Sequence, residues 1–148
     1  MPRHRFMPAV LAAFALSAAL SAAAAPAGAP ADRTVIVPAS EMRFYKSKEG
    51  LTVANGWGDP AHGAHSNFIR MDGNTASPPH THTASYYGVV ISGVVANEPM
   101  ASTADHPLPA GSYWYQKGGE PHVTKCISPD ACLIFVTSRA SFDFHVVK

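Results

Sequence analysis

Three histidines and one tyrosine carry the chemistry legible in this chain. His80 and His82 stand two residues apart in the stretch Pro78-Pro79-His80-Thr81-His82. On a strand that spacing sends both imidazoles to one face. His122 follows the glycine turn Lys117-Gly118-Gly119-Glu120-Pro121 and opens a later apolar and β-branched run. A lone His-x-His pair is a weak signal, and a third histidine placed this way strengthens it. Three neutral imidazoles bind a divalent transition metal (Fe, Mn, Zn, Ni or Cu) and leave coordination positions open for water or a small-molecule ligand. The bland alternative is a polar pocket lined by histidines. Tyr86 shares the strand parity of His80 and His82 and is expected to point inward with them. Its phenol, with an ordinary pKa of ~10, would ligate only under a strong Lewis acid; otherwise it is a hydrogen-bond donor or a general acid. Because a ligating imidazole must be neutral, metal affinity is expected to weaken as pH falls through the ~6.5 of free histidine.

The elements that must position these groups are strands. The run Tyr86-Tyr87-Gly88-Val89-Val90-Ile91 is aromatic and β-branched, and Gly93 turns it. Further strands are expected at 33–37, 66–71, 94–96, 111–116, 122–126 and 132–137, with a last one carrying Phe142, Phe144 and Val146 in alternation. Met42 to Lys46 and Leu51 to Ala54 are short candidates. Asn55 to Gly63 reads as a loop, as does Asn97 to Pro109. Val89, Ile91, Leu133 and Phe135 are expected to form the core. Thirteen prolines and eleven glycines supply turns throughout. No helix of useful length is expected after residue 24, so the class is all-β, a sandwich or barrel.

Among the other polar residues, Gln116 and Glu120 read as exposed turn positions and Arg70 as a surface cation. His62 and His65 stand three apart in a glycine loop and not on a helix, and His106 and His145 have no partner in the sequence. Trp57, Trp114 and Tyr115 read as core or rim. Cys126 and Cys132 flank Ser128-Pro129-Asp130, and a hairpin there would set them opposite each other for a disulfide. The alternative makes Cys126, on the face of His122, a thiolate ligand or redox thiol.

Met1-Pro2-Arg3-His4-Arg5 is basic, Phe6 to Leu20 is apolar and uncharged, and Ser21 to Ala25 are small. This is the pattern of a secretory signal over residues 1–24, with a leader over 25–33 and the folded domain over 34–148. The apolar run is shorter than the ~20 residues of a membrane-spanning helix. The expected destination is secreted or periplasmic, with no membrane attachment after cleavage. The 11 Lys and Arg residues fall to nine without Arg3 and Arg5, against ten Asp and Glu. No basic stripe remains for nucleic acid.

The positions His80, His82, Tyr86 and Gly93, followed by Gly111, Lys117, Gly119, His122 and Cys126, resemble the two motifs of the cupin superfamily. Their spacing matches. Tyr86 stands where the superfamily usually has a metal-binding glutamate, Lys117 where it has proline and Cys126 where it has asparagine. Small exported single-domain cupins also resemble the chain at Gly58-Asp59-Pro60 and Tyr87 to Gly93. The resemblance implies a double-stranded β-helix, or jelly-roll barrel, from Thr34 to the C-terminus. It implies a metal held by His80, His82 and His122 in the barrel, with Tyr86 as catalytic proton donor or ligand clamp. It implies an oxygenase, or an isomerase or decarboxylase, acting on a small oxygenated ligand; the other reading is a non-catalytic binding module. It also implies pairing of two copies through their sheets as a homodimer.

Overall fold

The computed structural model describes residues 34–148. The expected signal and leader lie outside the described residues. Twelve strands build two antiparallel sheets that face each other. The first sheet runs β1 (Tyr45–Lys46), β2 (Thr52–Gly58), β3 (His65–Met71), β11 (Cys132–Ser138), β6 (Tyr86–Ser92), β9 (Tyr113–Gln116). The second runs β12 (His145–Val146), β5 (His80–Thr81), β10 (His122–Cys126), β7 (Val94–Pro99), β8 (Leu108–Pro109), with β4 (Thr75–Ala76) also on β10. The all-β jelly-roll class is the one the sequence implies. Among the described residues the only helical turn is a 3-10 turn at Ala39–Glu41.

Several elements differ from expectation. Thr34 to Val37 form no strand and lie exposed. Their β-propensity is real, but a strand needs a ladder partner, and the edge of this sheet is taken by β1. Asn55 to Gly58 are the end of β2 rather than a loop. The ladder with β3 shifts register between Asn55 and Gly58, a bulge. Gly58 sits there at φ +77°, where a Cβ would meet the Ala64 carbonyl oxygen at 2.2 Å. The glycine is needed for the bulge and does not break the strand. Likewise β7 continues through Pro99 and β8 opens at Leu108, so only the middle of the expected loop is irregular.

The core parity is the reverse of that expected. Val90, Ile134 and Val136 are buried, with Cys126, Cys132, Val95 and Tyr86 around them. Ile91 is exposed and Val89, Leu133 and Phe135 are half-buried on the outer face. A run such as Tyr-Tyr-Gly-Val-Val-Ile is apolar on both faces, so composition alone does not say which face is inner.

Cys126 and Cys132 are joined by a disulfide, with Cα atoms 5.7 Å apart. The two flank no hairpin within one sheet. β10 and β11 belong to opposite sheets, so the bridge ties the sheets at a corner. The bond also removes Cys126 as a thiolate ligand. It lies at the end of β10 opposite His122, roughly 13 Å away at strand rise. Because the closed loop is short, replacing both cysteines by alanine should cost about 2–3 kcal/mol in urea denaturation. An unchanged midpoint would show that the corner is held by packing alone.

Candidate functional site

His80 and His82 come from the short β5 and the residue after it, while His122 opens β10 beside them. The register pairs His122 directly with His80. The chain then bends at Thr83 to Ser85 and crosses to the other sheet before Tyr86. Tyr86 therefore does not share a strand with the histidines. It faces them from the opposite wall, its hydroxyl 3.3 Å from His122 Nε2. The expectation that it points inward stands, and the parity argument for it does not.

The three imidazoles are buried, and each offers a ring nitrogen within 4.8 Å of the others. In a tetrahedral site with bonds near 2.1 Å, nitrogen ligands sit about 3.4 Å apart, a spacing that falls inside that limit. Each ring is already oriented by the backbone. His80 Nδ1 donates to the Pro78 carbonyl at 2.9 Å and His122 Nδ1 to the Glu120 carbonyl at 3.0 Å. His82 Nδ1 donates to the Asp143 carbonyl. A carbonyl only accepts, so each Nδ1 carries the proton and each Nε2 keeps its lone pair. Hydrogen bonds of this kind fix the tautomer and aim of metal-ligating histidines. The residues present therefore fit a divalent transition metal.

Burial sets the electrostatics. Loss of water holds His80 and His82 down to about 4, against small opposing effects of the carbonyl bonds. The same cause lowers His122. Burial pushes the Tyr86 phenol up to about 12, so it stays protonated. Burial thus moves the expected weakening of metal affinity below the ~6.5 of free histidine.

A strap from Ser141 to Phe144 closes the barrel mouth. The alternation of Phe142 and Phe144 reads as a strand in sequence, but only His145–Val146 pairs, with β5. Instead Phe144 stacks on His80 with centroids 4.1 Å apart, and Phe142 lies against His82 at 4.3 Å. The Phe142 amide donates to the Pro60 carbonyl at 2.7 Å, and the Thr83 amide to Asp143 Oδ1 at 2.7 Å. Beneath the strap is a chamber of about 40 Å³, lined by His80, His82, Tyr86 and apolar residues such as Ile69 and Trp114, with the His122 ring against the Tyr86 hydroxyl at its side. No carboxylate lines it among the described residues. Trp114 packs over Gly88, where a Cβ would meet its ring at 2.2 Å, and so reaches Tyr86.

The remaining sequence candidates fall elsewhere. Gln116 is buried, at 7% exposure, and accepts from Asn97 at 3.0 Å; it is no turn residue. Glu120 pairs with Lys117 on the surface. Arg70 lies over the Phe44 ring, outside the barrel. His62 pairs with Asp59, His106 with Glu98 and His145 with Asp143. His65, read in sequence as a loop residue, stands on β3, and Asn67 on the same strand carries no sequence signal of its own. Both are buried on the inner face of β3, and the polar alternation His65, Asn67 beside Ile69 and Met71 was the available signal.

Solved structures share this architecture at low identity. The polyketide cyclase RemF from Streptomyces resistomycificus is 16% identical over 78% of this chain and 87% of its own, with a TM-score of 0.62. A protein of unknown function with a cupin-like fold from Ralstonia eutropha JMP134 is 17% identical over 78% and 79%, at 0.61. KdgF from Halomonas sp. is 16% identical over 71% and 94%, at 0.56. A search of curated proteins finds no match. At these identities the likeness establishes the cupin fold, as the motif spacing implies. The family model described as "Domain of unknown function (DUF4437)" matches residues 52–143, more than half of the sequence, and the chain belongs to that family.

Proposed function

We propose that this cupin is an exported metal-dependent enzyme acting on a small oxygenated ligand, of oxygenase or of isomerase or decarboxylase type. The observation that carries the reading is the set of three buried imidazoles, each Nδ1 held by a backbone carbonyl and each Nε2 left with its lone pair. His80, His82 and His122 would hold a divalent transition metal (Fe, Mn, Zn, Ni or Cu), which when bound supplies Lewis acidity. The protein adds no charge to this set. A ligand that brings anionic or chelating oxygens is therefore favoured, because it neutralises a cation that the apolar chamber cannot. Tyr86 is the catalytic candidate. The lone pair on His122 Nε2 cannot serve the phenol and a metal at once, so occupation of the site frees the Tyr86 hydroxyl for the ligand. Its high pKa makes it a donor and not a base.

The absence of a carboxylate in the chamber favours a second reading, a module that binds its ligand without turnover. The two separate in one experiment. Protein loaded in turn with each of the five metals is incubated with 2-oxo acids, 1,3-diketones and catechols, and products are followed by NMR. Turnover that drops about 100-fold or more in Tyr86→Phe, at unchanged metal content, is the expected result. Retention of a ligand without product, in every metal form, supports the binding module instead.

Export rests on the basic and apolar start of the sequence, and the disulfide is compatible with it. Intact mass of the protein recovered from outside the cytoplasm should show a new N-terminus between Ala23 and Ala31. Retention of Met1 on that material would remove the signal-peptide reading.

A further inference from the structure

Above the strap lies a second and larger space. A groove of about 670 Å³ opens beside the barrel mouth, and its wall includes Tyr45, Ser47, Asn67 and His145. It shares Leu51, Phe142 and Phe144 with the metal chamber, so these three side chains are the partition between the two. Its volume falls in the range of small-molecule sites, roughly 300–1,000 Å³, whereas the chamber below has room for little beyond an ion and its water.

The groove wall carries hydrogen-bonding groups with nothing to bond. Asn67 is 3% exposed, and its Oδ1 has no partner among the described residues. The Ser47 hydroxyl, in the same wall, is buried without a partner too. Two positions from Asn67 on the same inward face of β3, His65 is wholly buried with Nε2 unpartnered. A buried polar group left without a partner is costly, so native structures seldom keep one unless something meets it. Two side-chain pairs also lie along the groove. Lys48 pairs with Glu49 at 3.6 Å, and His145 with Asp143 at 3.1 Å. Lys46 Nζ reaches the Gly50 carbonyl at 3.5 Å.

We propose that this groove is a recognition subsite for a hydroxyl-bearing ring, with the Asn67 amide and the Ser47 hydroxyl taking its hydrogen bonds and Phe142 and Phe144 its apolar face. A hydroxyl both donates and accepts. It therefore meets Asn67 whichever end of the amide faces the groove, and it meets Ser47 in either sense. The subsite deepens the enzymatic reading and rests on it for its use in catalysis, but binding there does not require the metal.

Two probes carry the hydroxyl on different rings, phenol on an aromatic one and myo-inositol on a saturated one. Each is titrated by ligand-observed NMR into metal-free and Zn²⁺-loaded protein, with zinc content measured on the same samples. At least one probe should bind both forms. Asn67→Leu should weaken it roughly tenfold, and Ser47→Ala roughly fivefold. Which probe wins tells an aromatic from a polyol ligand. If Asn67→Leu does not fold, Ser47→Ala, in a loop between β1 and β2, carries the comparison. Failure of both probes on metal-free protein overturns the subsite, as does binding unchanged in the folded variants. Probe binding in protein that takes up no zinc keeps the subsite and removes the metal reading instead.

Discussion

Replacing His82 with alanine should reduce metal affinity at least about 100-fold and leave the barrel folded. A three-imidazole set has no protein ligand to spare, and even losing a group that merely orients a ligand costs roughly 10–100-fold. His82 is also the ring tied to the strap, through the Asp143 carbonyl and the face of Phe142. Its removal thus deletes a ligand and loosens the cover in one step. The fold should survive because the sheets are held elsewhere. Val90 and Val95 of the inner core and the disulfide corner take no part in lining the chamber. Metal content after dialysis against a weak chelator, with far-UV circular dichroism on the same sample, checks both halves. His82→Ala protein that holds metal as the parent does would exclude the triad as the metal site. His62→Ala, at an exposed ring paired with Asp59, should change nothing and serves as control.

The sequence made the site more legible than the path that builds it. His80 and His82 share a face through a local two-residue step, whereas His122 reaches them through the long-range pairing of β5 with β10, which only the resemblance to the cupin motifs implies. Tyr86 was placed correctly on a wrong argument. The crossing between sheets at Thr83 to Ser85 restores the inward direction that a continuous strand would have given. The inner face of the core is hidden in the sequence for a related reason. Tyr87, Val89 and Ile91 are as apolar as Tyr86, Gly88 and Val90, so no period marks the inner face. Gly88 faces inward because the Trp114 ring occupies the place of its side chain, a contact between separate strands that no local pattern records. The strap was equally hidden. Phe142 and Phe144 alternate as a strand does, but their partners are imidazole rings 60 or more residues earlier. Their role follows from the closed mouth and not from their own pattern.

The metal-free protein should lose stability as pH falls from about 6.5 toward 4, over a window in which the metal-loaded protein holds its metal. Burial keeps His80 and His82 neutral in the native state down to about 4 and lowers His122 as well. In the unfolded chain the same rings take up protons near 6.5. Between the two values the unfolded state binds more protons than the native state, so lowering pH favours unfolding. Stability is complete above about 6.5 and is lost progressively as pH approaches the native values. With three rings contributing, the total should reach a few kcal/mol by order of magnitude. The same neutrality acts in the opposite sense on the metal. A proton displaces a metal only where it can bind the ring, so affinity in the folded protein should hold through pH 5.5 and fail closer to 4. Bound metal then stabilises the native state by about 4 kcal/mol at a thousandfold excess over its dissociation constant. The gap between metal-loaded and metal-free protein should therefore persist as both become less stable in acid. Urea denaturation at pH 7.5, 6.5, 5.5 and 4.5, each with and without Zn²⁺, reads both effects. A metal-free midpoint that does not move over this range would show that the rings are not held neutral by burial. Release of zinc centred near 6.5 would show imidazoles titrating as they do in water, open to solvent and not sealed beneath the Phe142 and Phe144 strap.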